Sequence, residues 1–86
     1  MENLMKIKQD ISIGENLKKL RKKAHLSQEE VAAMLELKGL SVSREMLSQM
    51  EQGRYSIRVS VLFVLKEIYK ANWDDFFEGI SFPAQN

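Results

Sequence analysis

The side chains of this 86-residue chain that could do chemistry are mostly hydrogen-bond donors and acceptors rather than nucleophiles or metal ligands. The sequence has no Cys and a single His, His25. It therefore offers no disulfide, no zinc–thiolate site, no thiol nucleophile and no histidine metal cluster. We find no paired carboxylates on a coherent face, no Ser/His/Asp set and no phosphate-binding glycine loop. We expect a protein that is not an enzyme and that uses no metal and no cofactor.

The composition indicates one small folded domain. Hydrophobic residues make up 44% of the chain, which suffices for a modest core. We place this domain at residues 12–78, between an N-terminal extension at 1–11 and a C-terminal tail at 79–86. The N-terminus lacks the apolar centre of a signal peptide, and the longest apolar run, 61–65, is far shorter than the roughly 20 residues of a membrane span. We therefore expect a cytoplasmic protein that makes no membrane contact.

The formal net charge of +1 hides an uneven distribution. Residues 1–26 carry a net charge of +4, residues 27–53 carry −3 and residues 54–86 carry 0. The positive excess includes four lysines of the first predicted helix: Lys18, Lys19, Lys22 and Lys23. These lysines either flank an anionic partner or form an ordinary solvated face, and the sequence leaves both alternatives open. The nearly neutral total predicts weak non-specific binding to polyanions.

The elements that position the polar groups are expected to be helices, because glycine and proline are rare and no stretch alternates with a period of two. We expect five of them. The helices are expected to begin at or near these residues: Ser12, Ser27, Ser43, Val59 and Asn72. The first two starts have the Ser-x-x-Glu pattern of a capping box. Gly39 and Gly53 end the second and third helices, and the fourth helix extends to Lys70. The sequence thus predicts an all-α fold.

The second and third helices form a helix-turn-helix candidate. Both are short, and the turn between them contains Gly39. In the third helix Leu47 and Met50 point inward. The outward residues are Arg44, Glu45, Ser48 and Gln49. The outward face therefore has no apolar residue and several hydrogen-bonding groups.

Three motifs follow one another in a specific order. The first is IGENLKKLR (13–21), the second is LSQEEVA (26–32), and the third is VSREMLSQMEQGR (42–54). Together with WDDFF (73–77), these motifs make the chain similar to the Xre/Cro-type (lambda-repressor-like) helix-turn-helix regulators. The resemblance implies a five-helix DNA-binding domain whose third helix reads the major groove.

Two departures from the family pattern concern the surroundings of the third helix. Residues 36–41 stand where the compact pattern has a single Gly between Leu35 and Val42. Either the turn is longer, or the second helix continues for another turn. The Pro that the family often has near Ile57 is missing. The longer connection bears on the angle between the second and third helices.

The resemblance implies that the N-terminal part of the third helix contacts DNA bases. The base-contacting set is Ser43, Arg44, Glu45 and Gln49. Arg44 is suited to a bidentate pair with guanine, and Gln49 to adenine. Glu45 either accepts from cytosine N4 or repels phosphates at wrong sites. Met46 either touches a thymine methyl group or packs beside the second helix. An ordinary solvated helix face is the alternative for the whole set.

The resemblance also implies phosphate contacts on both sides of the third helix. The set is Gln28, Ser48, Arg54, Tyr55 and Ser56, with Arg58 in the same loop. Gln28 follows a helix cap, where free backbone N–H groups and the helix dipole favour an anion. Arg and Tyr in the loop after Gly53 are suitable phosphate donors. Solvated surface residues are again the alternative.

In the same family the positions of Arg21 and Glu51 pair and tie the first helix to the end of the third. We expect this pair to be structural and to orient the third helix.

Apolar residues near the C-terminus exceed what one side of the fourth helix needs. The set is Val61, Phe63, Val64, Trp73, Phe76, Phe77 and Phe82. We expect these residues to form a homodimer interface that places two third helices about 34 Å apart, one turn of DNA. A core that is rich at its C-terminal end is the alternative.

The sequence therefore predicts a sequence-specific DNA-binding transcriptional regulator, acting as a repressor on an operator of double-stranded DNA. An antitoxin-like or anti-regulator module is the alternative. It would use the same fold and bind a protein partner through the Phe-rich C-terminal end.

Overall fold

The computed structural model describes residues 6–7 and 11–80 of the chain. Within these residues the chain forms five α-helices, as the sequence predicts, and one short antiparallel strand pair. The helices are α1 (Gly14–Lys23), α2 (Gln28–Leu37), α3 (Arg44–Glu51), α4 (Val59–Tyr69) and α5 (Trp73–Phe76). The strands are β1 (Lys6–Ile7) and β2 (Ile57–Arg58). The all-α fold class is confirmed. Among the described residues, no helix has the length and apolar character that crossing a membrane requires.

Local capping fixes the starts of α2 and α3 where the sequence predicts them. The Ser27 hydroxyl accepts from the Glu30 N–H at 3.0 Å, and the Glu30 carboxylate accepts from the Ser27 N–H at 2.8 Å. This reciprocal pair is the predicted capping box. The Ser43 hydroxyl accepts from the Met46 N–H at 3.1 Å and caps α3. Both elements of the helix-turn-helix candidate therefore begin at residues that satisfy free backbone donors.

The start of α1 differs from the prediction. The N-cap is Ile13 rather than Ser12, and the Ser12 hydroxyl accepts from the Gly14 N–H at 2.9 Å. Tertiary packing explains the shift, because Gly14 lies against the backbone of α3. A Cβ at this position would clash with the carbonyl oxygen of Glu51 and would lie 2.8 Å from that of Met50. The capping box predicted at Ser12 is therefore wrong, and close helix–helix contact sets the start of α1.

The lengthened connection is shared between a longer helix and a longer turn. α2 continues to Leu37, and the Leu40 N–H donates back to the Leu35 carbonyl at 3.0 Å. This bond and the positive φ of Gly39 (83°) define a glycine-terminated helix end. Residues 40–42 then lead to the cap of α3. The Arg58 guanidinium reaches the Ser41 carbonyl at 3.5 Å and links this connection to β2.

The core draws side chains from all five helices and from β2, with α3 packed against α1 and α2, and α5 against α1. The largest fully buried side chains are Phe76, Leu17, Leu35, Leu47, Ile57, Leu65, Val31 and Val61. Two of these correct the interface prediction, because Val61 and Phe76 are each 0% exposed within one protomer. Both belong to the core and have no surface to offer a second copy. Phe82, which we also assigned to the interface, lies outside the described residues.

A second buried feature of the core is Tyr69 at the end of α4. Within the described part of the chain, its phenol oxygen has no hydrogen-bond partner. Burial raises the pKa of Tyr69 well above its ordinary value, since desolvation penalises the phenolate. Tyr69 therefore enters the core as a neutral group.

The N-terminal extension contributes the strand β1. Its residues pair antiparallel with β2, Lys6 opposite Arg58 and Ile7 opposite Ile57. The pairing attaches residues 6–7 to the segment between α3 and α4, where the sequence predicts phosphate contacts.

Candidate functional site

The outward surface of α3 is polar and accessible. Leu47 and Met50 are buried, as predicted, and fix which side of α3 faces the protein. On the opposite side Ser43, Arg44 and Glu45 are exposed, while Ser48 and Gln49 are half-buried. Met46 is half-buried and packs against the core, which favours its packing role. The structure thus places the four predicted base-contacting residues on the outward side of α3, three of them at its N-terminus and Gln49 in its C-terminal half.

A buried ion pair holds α3 against α1. The Arg21 guanidinium donates from Nε to Glu51 Oε2 at 2.7 Å and from Nη2 to Glu51 Oε1 at 3.1 Å. Its Nη1 donates to the Leu26 carbonyl at 3.0 Å. Both side chains are buried, and the hydrogen bonds to Glu51 raise the pKa of Arg21. The pair that the family resemblance implied is present, in bidentate form.

The same carboxylate connects α2 to the outward surface of α3. Gln28 Nε2 donates to Glu51 Oε1 at 3.0 Å. Gln28 Oε1 in turn accepts from Arg44 Nη1 at 3.4 Å. Arg44 Nη2 lies 3.6 Å from Glu45 Oε2 in an exposed ion pair. A continuous polar network therefore runs from the buried pair to the N-terminus of α3.

The lysines of α1 divide into separate groups. Lys18 and Lys22 line an open cleft at the N-terminus of α2, next to Gln28 and Arg44. Lys23 instead lines a groove on another side, formed with α4 and the segment after it. Lys19 is exposed and lines neither of these two concavities. The cleft is also lined by Arg21 and Glu29, so its cationic side chains outnumber its one carboxylate beside the N-terminus of α2, an environment that favours anions.

The loop after α3 is exposed, as phosphate contact requires. Arg54, Tyr55 and Ser56 are all exposed. The Arg54 N–H donates to the Gln49 carbonyl at 2.9 Å, so the loop leaves α3 in a fixed direction. Gly53 has a positive φ of 78°, which completes this helix end.

One positioning residue escaped the sequence analysis. Asn16 on α1 is buried, and its Nδ2 donates to the carbonyl oxygens of Phe76 and Glu78, each at 2.9 Å. It therefore fixes the end of α5 to α1. The sequence does indicate that Asn16 is buried, because it lies three residues after Ile13 and four before Leu20, on the apolar face of the helix.

A second exposed surface lies on α4 and α5. Phe63 and Phe77 are 56% and 50% exposed. The ring of Phe63 meets that of Trp73 edge-on at 5.2 Å, and Lys66 Nζ lies 5.5 Å from the Trp73 ring. Val64 packs partly against the core. We call Phe63, Val64, Trp73 and Phe77 the aromatic patch; within residues 11–80 they are the predicted interface residues that retain exposed surface.

The fold and site define the class of this protein. Two capped helices pack against each other, the second presents a polar face, and a buried ion pair anchors it, which is the arrangement of a DNA-binding helix-turn-helix domain. A family model described as Helix-turn-helix matches residues 17–76, well over half of the chain. The chain belongs to this family of Xre/Cro-type (lambda-repressor-like) DNA-binding regulatory domains. A search of curated proteins found no match.

Proposed function

We propose that the protein is a sequence-specific transcriptional regulator that represses by occupying operator DNA in the cytoplasm. The observation that carries the proposal is the exposed polar face of α3, held in place by the buried Arg21–Glu51 pair. Selection of bound fragments from a random DNA pool tests it. A reproducible half-site motif supports the proposal, and recovery of unrelated sequences contradicts it.

We assign base contacts to Ser43, Arg44, Glu45 and Gln49, and phosphate contacts to Gln28, Ser48, Arg54, Tyr55 and Ser56. The exposed positions of Arg44 and Glu45 at the start of α3 support the first assignment, because this end of a recognition helix reaches base edges. The exposed loop after α3 and the cationic cleft support the second. Phosphate contacts position the domain, and base contacts select the sequence.

Truncating the proposed readers is expected to relax specificity at particular base pairs. Arg44→Ala and Gln49→Ala each remove hydrogen bonds to one base and reduce discrimination there by about 1–3 kcal/mol. Competition binding with operators substituted at each position measures the change. Glu36→Ala, an exposed change on α2, is the control. If both variants discriminate bases as the unmodified protein does, α3 is not the reading helix.

The cleft lysines are expected to bind phosphates flanking the half-site. Lys18→Ala and Lys22→Ala should each weaken binding to all sequences and reduce the slope of log K against log salt by about 1, because each removes one phosphate contact. Binding titrations at several salt concentrations measure the slope. Lys19→Ala is the matched control on the same helix. If all three variants keep the salt slope of the unmodified protein, the lysines belong to an ordinary solvated face.

We also propose that two copies associate through the aromatic patch and bind two half-sites. The support is the exposure of Phe63, whose ring meets the half-buried Trp73, and of Phe77 at the end of α5, since large exposed apolar side chains are typical of interaction surfaces. Paired α3 helices about 34 Å apart would match one turn of DNA.

The aromatic patch equally favours a second candidate, an antitoxin-like or anti-regulator module that binds a protein partner. A gel shift against genomic fragments, with and without a co-purified partner, separates the two. Binding by the protein alone supports the regulator, whereas a stable complex with a protein and no DNA binding supports the alternative.

A further inference from the structure

An apolar groove of about 380 Å³ lies between the C-terminal end of α2 and the last turn of α4. It is lined by Met34, Leu37, Lys38, Glu67 and Ile68, none of which is among the proposed DNA contacts. We propose that this groove, which we call the α2–α4 groove, binds the same groove of a second copy of the chain. The inference goes beyond the proposed function and depends neither on DNA binding nor on the aromatic patch.

The apolar lining of the groove is poorly covered within one copy. Leu37, the last residue of α2, is 87% exposed, and Met34, one turn earlier, is 38% exposed. Ile68 of α4 is half-buried. A single exposed leucine is ordinary at a protein surface, whereas exposed apolar side chains that share one groove are typical of an interaction surface. Covering them with another apolar surface is therefore favourable.

One wall of the groove comes from the stretch that lengthens the connection between α2 and α3. Residues 36–41 stand where the compact family pattern has a single Gly. Because α2 continues to Leu37, this stretch extends the helix along the groove and places Lys38 at its end. The feature that departs from the family pattern thus builds the groove, whereas it supplies none of the proposed DNA contacts.

The charges at the groove indicate a second copy as its occupant. Lys38 is the C-cap of α2 and Glu67 lies on α4, so the two helices that form the walls carry opposite charges. In the part of the chain that the structure describes, neither side chain forms an ion pair. A twofold axis through the groove places Lys38 of each copy against Glu67 of the other. The same axis brings Leu37 of each copy onto the apolar lining of the other, so one surface supplies both halves of the contact.

The α2–α4 groove and the aromatic patch face different directions. Ile68 follows Phe63 by five residues, which places the two side chains about 140° apart around α4. Each surface can therefore hold its own partner copy. If the aromatic patch joins two copies, the groove joins those pairs into larger assemblies, because two different twofold contacts on one chain propagate association.

Association through the groove is expected to be weak, with a Kd on the order of 100 µM, because each copy contributes few apolar side chains. The exposed charges add little affinity but fix which surfaces meet and in what orientation. The orientation is what the experiment tests, since reversing one charge turns both attractive pairs of a twofold contact into repulsive ones.

The experiment is sedimentation velocity of the full chain at low salt, over a concentration series up to about 1 mM. Lys38→Glu and Glu67→Lys should each raise the Kd by about tenfold, because each brings like charges together twice per contact. The double variant restores both pairs and should associate as the unmodified chain does. An equimolar mixture of the two single variants should associate more strongly than either variant alone, since each then meets its opposite charges in the other.

Lys19→Glu is the matched control for Lys38→Glu, because it makes the same change of net charge at an exposed lysine of α1. It should leave the Kd unchanged. Leu37→Ala should raise the Kd by about tenfold with no change of charge, since two leucine side chains lose their contact in each pair of copies. All the substituted side chains are exposed, so the variants are expected to fold, and circular dichroism checks this.

Repeating the series in the Phe77→Ala background separates the groove from the aromatic patch, because the effects of both charge variants should persist there. A Phe77→Ala chain that stays monomeric up to about 1 mM would overturn the inference. A double variant that associates no better than the single variants would also overturn it, as would a loss of association by Lys19→Glu equal to that of Lys38→Glu. Association that none of the groove variants weakens would show that the groove does not join two copies.

Discussion

Glu51→Ala is expected to lower the free energy of unfolding by about 3–5 kcal/mol, because it leaves the Arg21 guanidinium buried without its counter-charge. The substitution removes the acceptor of two Arg21 bonds and of the Gln28 bond. An Arg guanidinium is effectively always protonated in proteins, so in this variant Arg21 cannot escape the penalty by losing its proton. Urea denaturation followed by circular dichroism measures the change.

Glu36→Ala is the matched control, since Glu36 is an exposed carboxylate on α2. It should change stability by less than about 0.5 kcal/mol. The double variant Arg21→Met/Glu51→Met removes both charges and should be more stable than Glu51→Ala alone, because no unpaired charge remains buried. A loss below about 1 kcal/mol for Glu51→Ala would show that water reaches the guanidinium and that the pair does not anchor α3.

The sequence predicts the helix caps and the ion pair that position α3, because the caps depend on neighbouring residues and the pair belongs to a family motif. The cap of α2 at Ser27 and that of α3 at Ser43 each need only the next three residues, so their positions follow from sequence spacing. The Arg21–Glu51 pair followed from the family resemblance rather than from spacing. The link from Glu51 through Gln28 to Arg44 could not be predicted, because it depends on how α2 crosses α3.

Tertiary contacts explain why the sequence misplaced the start of α1 and assigned the buried Val61 to an interface. Nothing near Ser12 in the sequence reveals that Gly14 meets the backbone of Glu51, and that contact sets the start of α1. In α4 the residues from 59 to 65 are almost all apolar, which hides the helical period that would tell the core face from the outer face. Val61 therefore could not be distinguished from Phe63, although the first is buried and the second is exposed.

The sequence likewise does not distinguish the buried Phe76 from the exposed Phe77. Substituting each of them tests the packing of α5. Phe76→Ala is expected to lower the free energy of unfolding by about 3–5 kcal/mol, the cost of a cavity left by a buried aromatic ring. Phe76 is 0% exposed, and its ring lies 5.6 Å from that of Trp73. Its carbonyl accepts from the buried Asn16, so the cavity would lie where α5 is fixed to α1. Thermal and urea unfolding of the variant measure the loss.

Phe77→Ala is the matched control one residue away, at a side chain that is 50% exposed. It should change the stability of one copy by no more than about 1 kcal/mol, since half of the Phe77 surface is already exposed. If the aromatic patch joins two copies, Phe77→Ala should instead shift the protein from dimer to monomer in sedimentation experiments and weaken operator binding at low protein concentration. Unfolding by Phe77→Ala would place that ring in the core. A stable Phe76→Ala protein would contradict the packing of α5 on which the whole C-terminal surface depends.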